Sequence, residues 1–219
     1  MNDSKPKIAV VLSGCGVFDG TEIHESVLTL LALERQGAAY QCYAPDIDQT
    51  HVIDHLTGEE ADEKRNVLRE SARIARGEIK PLSELNAADA DAVIFPGGFG
   101  AAKNLSSFAF DGPDCTVEAE VARTVADFHG AGKPIGALCI APAMMAKLLD
   151  GPEVTIGQDP GTAEAIEKMG AKHKTAGPVE VVVDPALKLA TTPCYMLDST
   201  ISQVAEGADN AVREVLGMI

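Results

Sequence analysis

Cys139 stands where a thiol can act as a nucleophile. In Ile135-Gly136-Ala137-Leu138-Cys139-Ile140-Ala141-Pro142-Ala143 an apolar run passes directly into helical sequence. The small residues Ala137 and Ala141 flank the cysteine on either side, at −2 and +2. That spacing lets a tight strand-to-helix turn present the side chain at the end of a sheet. Pro142 suits the first turn of the helix, where its missing N–H costs nothing. A helix N-terminus stabilises a thiolate, so a lowered thiol pKa is expected. The competing reading is a buried structural cysteine, because free cysteine is among the most buried residue types.

Pro96-Gly97-Gly98-Phe99-Gly100 ends another apolar run. Bare backbone at Gly97 and Gly98 lets N–H groups point at an oxyanion, against the plainer reading of a glycine-rich turn. Ser13-Gly14-Cys15-Gly16-Val17-Phe18-Asp19-Gly20 looks at first like a dinucleotide fingerprint, but its third glycine is one place late. Asp19 would then sit beside a pyrophosphate, so the pattern reads instead as an acidic capping box, Asp19-x-x-Glu22. Glu25 lies on the first turns of the following helix, at the end of the sheet where Cys139 emerges. Burial there would raise its pKa, although position alone favours a solvated helix glutamate.

His51 and His55 share a spacing of four without a third metal ligand, so no metal is expected. Arg65, Arg69 and Arg73 form a stripe that reads as a solvated face supported by acids such as Glu70. His173 is the only histidine after Cys139 and is followed by Lys174-Thr175, not by the x-Glu of a glutaminase triad. Glutaminase chemistry is therefore disfavoured.

These residues need elements to position them. Ile8–Leu12, Ala39–Tyr43, Ala92–Phe95 and Lys133–Leu138 read as buried strands. Glu22–Arg35, Glu59–Arg76, Thr116–His129, Ile140–Leu149, Thr162–Met169 and Thr200–Leu216 read as helices, with Val52–Leu56 ambiguous. Val179–Val183 and Leu187–Thr191 read as a hairpin around Asp184-Pro185. Strands alternating with helices imply βαβ units and a mostly parallel sheet covered on both faces, with the site at the carboxyl ends of its strands.

The 219 residues carry 18 Lys and Arg against 33 Asp and Glu, a net charge of −15. That charge disfavours nucleic acid and anionic membrane as partners. Apolar residues make up 46%, which excludes a disordered chain. The sequence suits one domain over 1–219. No apolar stretch approaches the ~18 residues of a membrane span. Met1–Lys7 leads straight into Ile8 without the features of a signal or transit peptide, so the cytoplasm is the expected compartment. Five scattered cysteines without a C-x-x-C suggest free thiols.

The chain resembles the ElbB-type proteins, described as isoprenoid-biosynthesis proteins with an amidotransferase-like domain, within the PfpI/ThiJ superfamily. The resemblance runs from Ile8 to the C-terminal helix. It rests on Leu12-Ser13-Gly14-Cys15-Gly16-Val17, Glu22-Ile23-His24-Glu25, His55-Leu56-Thr57-Gly58 and Arg65-Asn66-Val67-Leu68. Further blocks are Pro96–Leu105, Cys139-Ile140-Ala141-Pro142-Ala143 and Thr191-Thr192-Pro193. It implies a flavodoxin-like three-layer α/β sandwich with a nucleophile elbow at Cys139, and a homodimer.

It also implies that Glu25 partners the cysteine, with Gly97, Gly98 and Ile140 binding substrate or oxyanion. The superfamily often has a histidine about 20 residues after the cysteine; Val154-Thr155-Ile156-Gly157-Gln158-Asp159 has none. His24 and Asp159 are the candidates to replace it, and Cys15 is a further accessory candidate. The implied activity is a cofactor-independent glyoxalase, turning glyoxal or methylglyoxal into glycolate or lactate through a cysteine hemithioacetal. The alternatives are a redox-responsive or partner-binding protein without turnover, and a protein deglycase. With the chain already acidic, Glu25 would need to hold a proton to sit beside a thiolate.

Overall fold

The computed structural model describes residues 5–219, so the first four residues of the N-terminal segment read above lie outside it. In chain order the elements are β1 (Lys7–Val11), α1 (Ile23–Arg35), β2 (Ala39–Ala44), α2 (Val67–Ile74), β3 (Ile79–Pro81) and β4 (Ala92–Phe95). There follow α3 (Phe99–Lys103), α4 (Phe108–Asp111), α5 (Ala119–Gly130), β5 (Ile135–Leu138), α6 (Pro142–Leu148) and β6 (Glu153–Val154). The chain closes with α7 (Pro160–Lys168), β7 (Lys172–His173), β8 (Val182–Asp184), β9 (Leu189–Thr192) and α8 (Ile201–Gly217).

Seven strands form one sheet in the order β3-β2-β1-β4-β5-β9-β8. All neighbours are parallel except β8, which pairs antiparallel with β9 as the edge of the expected hairpin. Alternation along each strand divides the core. Ile8, Val10 and Ile94 face α1 and α8, while Ala9, Val11, Val93 and Phe95 face α5 and α6. Both faces are therefore covered, as a parallel sheet requires. The alternating pattern thus gives the covered, mostly parallel sheet expected of it, in the flavodoxin-like α/β sandwich that the family resemblance implied.

The order of strands reverses between β1 and β4. A crevice opens there at the carboxyl ends, because the connections leaving β1 and β4 run to opposite sides. The connections after β1, β4 and β5 all meet at that end.

Two local expectations fail. The helix expected over Glu59–Arg76 is confined to α2. Residues 59–66 have only Ala61 as an apolar side chain, so no face could bury, and tertiary hydrogen bonds take the backbone instead. Ala61 N–H donates to Val52 O at 2.8 Å, and Gln49 N–H donates to Arg65 O at 2.8 Å. Asn66 then caps α2 by accepting from Arg69 N–H at 3.0 Å. The ambiguous Val52–Leu56 lies in this loop, where Ile53 makes a single bridge to Glu60.

The capping box is also divided. Glu22 caps α1 alone, accepting from Glu25 N–H at 2.7 Å. Asp19 instead accepts from Ile53 N–H at 2.7 Å and tethers the long loop before α2.

Candidate active site

Cys139 follows β5 with φ +61°, a left-handed conformation that costs a residue bearing a Cβ roughly 1–2 kcal/mol. The turn is held in place by Cys139 N–H donating to Thr192 O at 2.9 Å, across the β5–β9 pair. Ala137 and Ala141 are fully buried on either side, so larger side chains there would force the turn apart. Pro142 opens α6 as expected. Cys139 is 7% exposed, and that small fraction faces a cavity.

Glu25 is fully buried, with its carboxyl near enough to the Cys139 thiol for each to shift the other's pKa. Its position follows from the helix that carries it: Glu22 starts α1, which places Glu25 on the inner face of the first turn. Gly97 N–H donates to its Oε2 at 3.0 Å and Tyr195 N–H donates to its Oε1 at 3.2 Å. The carboxyl is thus fixed by three separate parts of the chain. The solvated-glutamate reading fails because α1 turns this side chain inward.

Gly97 is required by close approach. A Cβ there would lie 2.8 Å from Glu25 Oε2 and 2.9 Å from Cys139 Sγ. Its carbonyl is held by Glu22 N–H at 2.9 Å and by the Thr21 hydroxyl at 3.2 Å. Because Gly97 N–H is committed to Glu25, it is not free for the oxyanion role expected of it. The amides close enough to the Cys139 sulfur to favour its charged form are those of Gly98 and Ile140. Gly98 reaches this position with φ +95°, a region glycine enters without penalty.

The electrostatics depart from the sequence expectation. Burial, reinforced by Glu22, pushes the Glu25 carboxyl up from 4.5 to about 8. Burial also pushes the Cys139 thiol well above its ordinary value, with Glu25 adding to the rise, while the Gly98 and Ile140 amides pull the other way. The lowered thiol pKa expected from a helix N-terminus is therefore not found in the free protein. Two buried acids in contact resist ionising together, so one proton is retained between them until high pH.

The cavity above the sulfur has a volume of about 370 Å³. Val17, Phe99, Ala102, Phe108, Ile140 and Met196 supply most of its wall, with Glu22, Thr162 and Tyr195 as polar members. Tyr195 was not anticipated. It follows Thr191-Thr192-Pro193, a block noted above without an assigned role, and its neighbour Cys194 is also buried, with φ +45°. Cys194 packs in the same region, where burial, Glu25 and Cys139 all push its thiol up.

The accessory candidates are not assembled around the sulfur. His24 Nδ1 is hydrogen-bonded to the Tyr195 hydroxyl at 2.9 Å, behind the cavity wall rather than in it. Asp159 caps α7, accepting from Thr162 N–H at 2.7 Å, and only Thr162 reaches the cavity. Cys15 packs near α2, where burial and Glu70 raise its thiol; Gly14 N–H donates to Ser71 Oγ in the same loop. Neither His24 nor Asp159 takes the place of the superfamily histidine.

The remaining residues noted in the sequence serve the framework. The glycine-rich Ser13–Gly20 loop turns its amides inward, with Gly16 N–H on Thr21 O and Gly20 N–H on Gly16 O. His55 receives Phe18 N–H at 3.3 Å, and His51 stacks edge-on against Phe110. On α2, Arg73 pairs with Glu70 as expected, whereas Arg65 lies in the loop before α2 and pairs with Glu63, so the three arginines do not share one helical stripe. His173 receives Ile156 N–H at 3.4 Å. Among the described residues, no group of three His, Cys, Asp or Glu side chains is placed to hold a metal, and no helix is long and apolar enough to cross a membrane.

No protein-family model matches the chain. Individual proteins do. Human glutamine amidotransferase-like class 1 domain-containing protein 3, mitochondrial, is 54% identical over 220 residues, covering 96% of this chain and 82% of that protein. The zebrafish ES1 protein, mitochondrial, is 40% identical over 99% of this chain and 87% of its own. Both names place those proteins in mitochondria and lend no support to a plain cytoplasmic location. The crystal structure of an isoprenoid biosynthesis protein with amidotransferase-like domain from Ehrlichia chaffeensis superposes with a TM-score of 0.90 at 36% identity, over 97% of this chain and all of that one. At 15% identity, the glyoxalase III of Candida albicans shares the fold, with a TM-score of 0.63 over 98% of this chain and 97% of that one. With identity this high sustained along nearly its whole length, the chain belongs to the family of the ES1 proteins and glutamine amidotransferase-like class 1 domain-containing protein 3.

Proposed function

We propose that this protein is a cofactor-independent, cysteine-dependent glyoxalase. The observation that carries the reading is the contact between the buried, proton-holding Glu25 and a strained Cys139 at the floor of a cavity. A carboxyl poised near 8 can both give and take a proton at ordinary pH, as an isomerisation between adjacent carbons requires. Sharing a fold with a glyoxalase III is consistent with this chemistry.

The Cys139 sulfur adds to one aldehyde carbon of glyoxal, forming the S–C bond. The carbonyl π pair moves to oxygen, which faces the Gly98 and Ile140 amides. In its carboxylate form Glu25 takes the thiol proton and hands it to that oxygen, giving a hemithioacetal and leaving the carboxylate free again. Glu25 then removes the C–H proton of that carbon and passes it to the neighbouring carbonyl oxygen, giving an enediol; it next takes the hydroxyl proton on the sulfur-bearing carbon and delivers it to the neighbouring carbon. The product is a glycolyl thioester, and water cleaves it to glycolate and free Cys139. Overall one glyoxal and one water give one glycolic acid, with no net redox change. Methylglyoxal gives lactate by the same route.

The test is turnover of glyoxal by purified protein without glutathione, with glycolate identified directly. Cys139→Ala retaining full activity would overturn the mechanism. Product analysis on free dicarbonyl, compared with preformed glycated peptide, separates a glyoxalase from a deglycase. The donors around the sulfur also suit an oxidised sulfur, which favours a redox role as the second reading. Selective sulfinic acid at Cys139 under mild peroxide, with negligible glyoxal turnover, supports that reading instead. Either chemistry needs a reducing compartment, and the mitochondrial matrix serves as well as the cytoplasm.

A further inference from the structure

The cavity is far larger than a two-carbon dialdehyde needs. Its volume of about 370 Å³ lies within the range of pockets that bury a whole small molecule. Its walls are mainly apolar, from Val17, Phe99, Ala102, Phe108, Ile140 and Met196. Phe99 is 47% exposed and continues the apolar wall toward the mouth. Hydrocarbon placed against these side chains leaves water for a matching surface, so an apolar substituent adds affinity that glyoxal cannot obtain.

The charge in the wall has one sign. Glu22 lines the cavity, and among the described residues no lysine or arginine does. Lys103 stands nearby but is committed elsewhere: its ammonium donates to Phe18 O at 3.0 Å and lies 5.1 Å from the centre of the Phe99 ring. An anionic substrate would lose hydration inside an apolar cavity and meet the Glu22 carboxylate without a compensating cation.

We propose that the substrate is an uncharged 2-oxoaldehyde carrying an apolar substituent, and that carboxylate- or phosphate-bearing aldehydes are rejected. The aldehyde carbon reaches Cys139, its oxygen faces the Gly98 and Ile140 amides, and the substituent fills the space between Phe99, Ala102 and Phe108. The reaction is the one proposed above, so this inference rests on that reading for its chemistry but not for its selectivity.

The experiment compares kcat/KM for glyoxal, phenylglyoxal and 4-carboxyphenylglyoxal. Phenylglyoxal is expected to exceed both others by at least tenfold. In Ala102→Leu, where the added side chain fills the cavity, the phenylglyoxal-to-glyoxal ratio should fall at least tenfold. In Glu22→Gln, which keeps an oxygen for the α1 cap, the handicap of the carboxylated compound should shrink. A preference for glyoxal, or equal rates with the neutral and carboxylated aromatic compounds, would overturn the inference.

Cys139 alkylation, followed by mass spectrometry, reads the cavity without turnover. With each rate divided by that of free cysteine, N-benzyl iodoacetamide should react faster than iodoacetamide, and iodoacetate slowest. Absence of all turnover with this order intact would refute the glyoxalase and leave the selectivity standing. Iodoacetate reacting as fast as the benzyl reagent would refute the selectivity itself.

Discussion

Glu25→Gln separates the proton from the shape of the carboxyl. In the folded protein Glu25 is fully buried and titrates near 8, against an ordinary value of 4.5. The unfolded chain releases that proton above 4.5, whereas the folded chain keeps it until about 8. Raising the pH between those values therefore favours unfolding, and above about 8 the dependence ends because both states are ionised. At roughly 1.4 kcal/mol per pH step the full loss is on the order of 5 kcal/mol, most of which falls between pH 5 and 8. Glutamine cannot ionise, so the variant lacks this term. It has a fixed cost of about 1–3 kcal/mol instead, because its NH₂ must face the Gly97 or the Tyr195 N–H, both of which Glu25 satisfies.

The assay is urea unfolding of both proteins from pH 5 to 8, taken as a difference so that all other titrating groups cancel. Wild type should lose on the order of 3–4 kcal/mol relative to Glu25→Gln across that window. Turnover gives an independent reading. Wild-type kcat/KM should rise nearly tenfold between pH 6 and 7 and level off above about 8. In Glu25→Gln it should be at least 100-fold lower and lose that rise. A flat stability difference from pH 5 to 8 would mean that Glu25 is ionised at ordinary pH, and the poise near 8 on which the proposal rests would fall with it.

Three further substitutions test the frame around this pair. Cys139→Ala should lower glyoxal turnover by at least about a thousandfold, with thermal stability nearly unchanged. Gly97→Ala places a methyl within 3 Å of both Glu25 Oε2 and Cys139 Sγ, so it should cost about 1–3 kcal/mol in urea unfolding and disable turnover. Asn104 binds the carbonyls of Ser13 and Asp19 through its amide group and receives Thr50 N–H on its oxygen, while itself buried. Asn104→Ala should therefore cost about 3 kcal/mol and loosen the loops around the cavity mouth, seen as faster amide hydrogen exchange at Thr50.

The sheet and the elbow were legible because their physics is local. Short apolar runs alternating with amphipathic stretches specify a parallel sheet covered on both faces, and small residues on either side of Cys139 with Pro142 beyond it specify a tight turn into a helix. The long loop before α2 was misread because acids followed by arginines match the helix dipole, while the apolar face that would bury the helix is missing from residues 59–66. Composition alone could not weigh those two effects.

The sequence by itself determined which end of the sheet would carry the candidate site and which cysteine would stand there. Only the tertiary structure decided the partners. Glu25 becomes a proton-holding acid because α1, the Gly97 turn and Tyr195 close around it, and desolvation depends on neighbours far apart in the chain. The same closure commits the Gly97 amide to the carboxyl, leaves Gly98 and Ile140 to face the sulfur, and sets His24 and Asp159 outside the cavity. Spacing along a chain can place a nucleophile on a turn, but burial and charge come from what the fold packs against it.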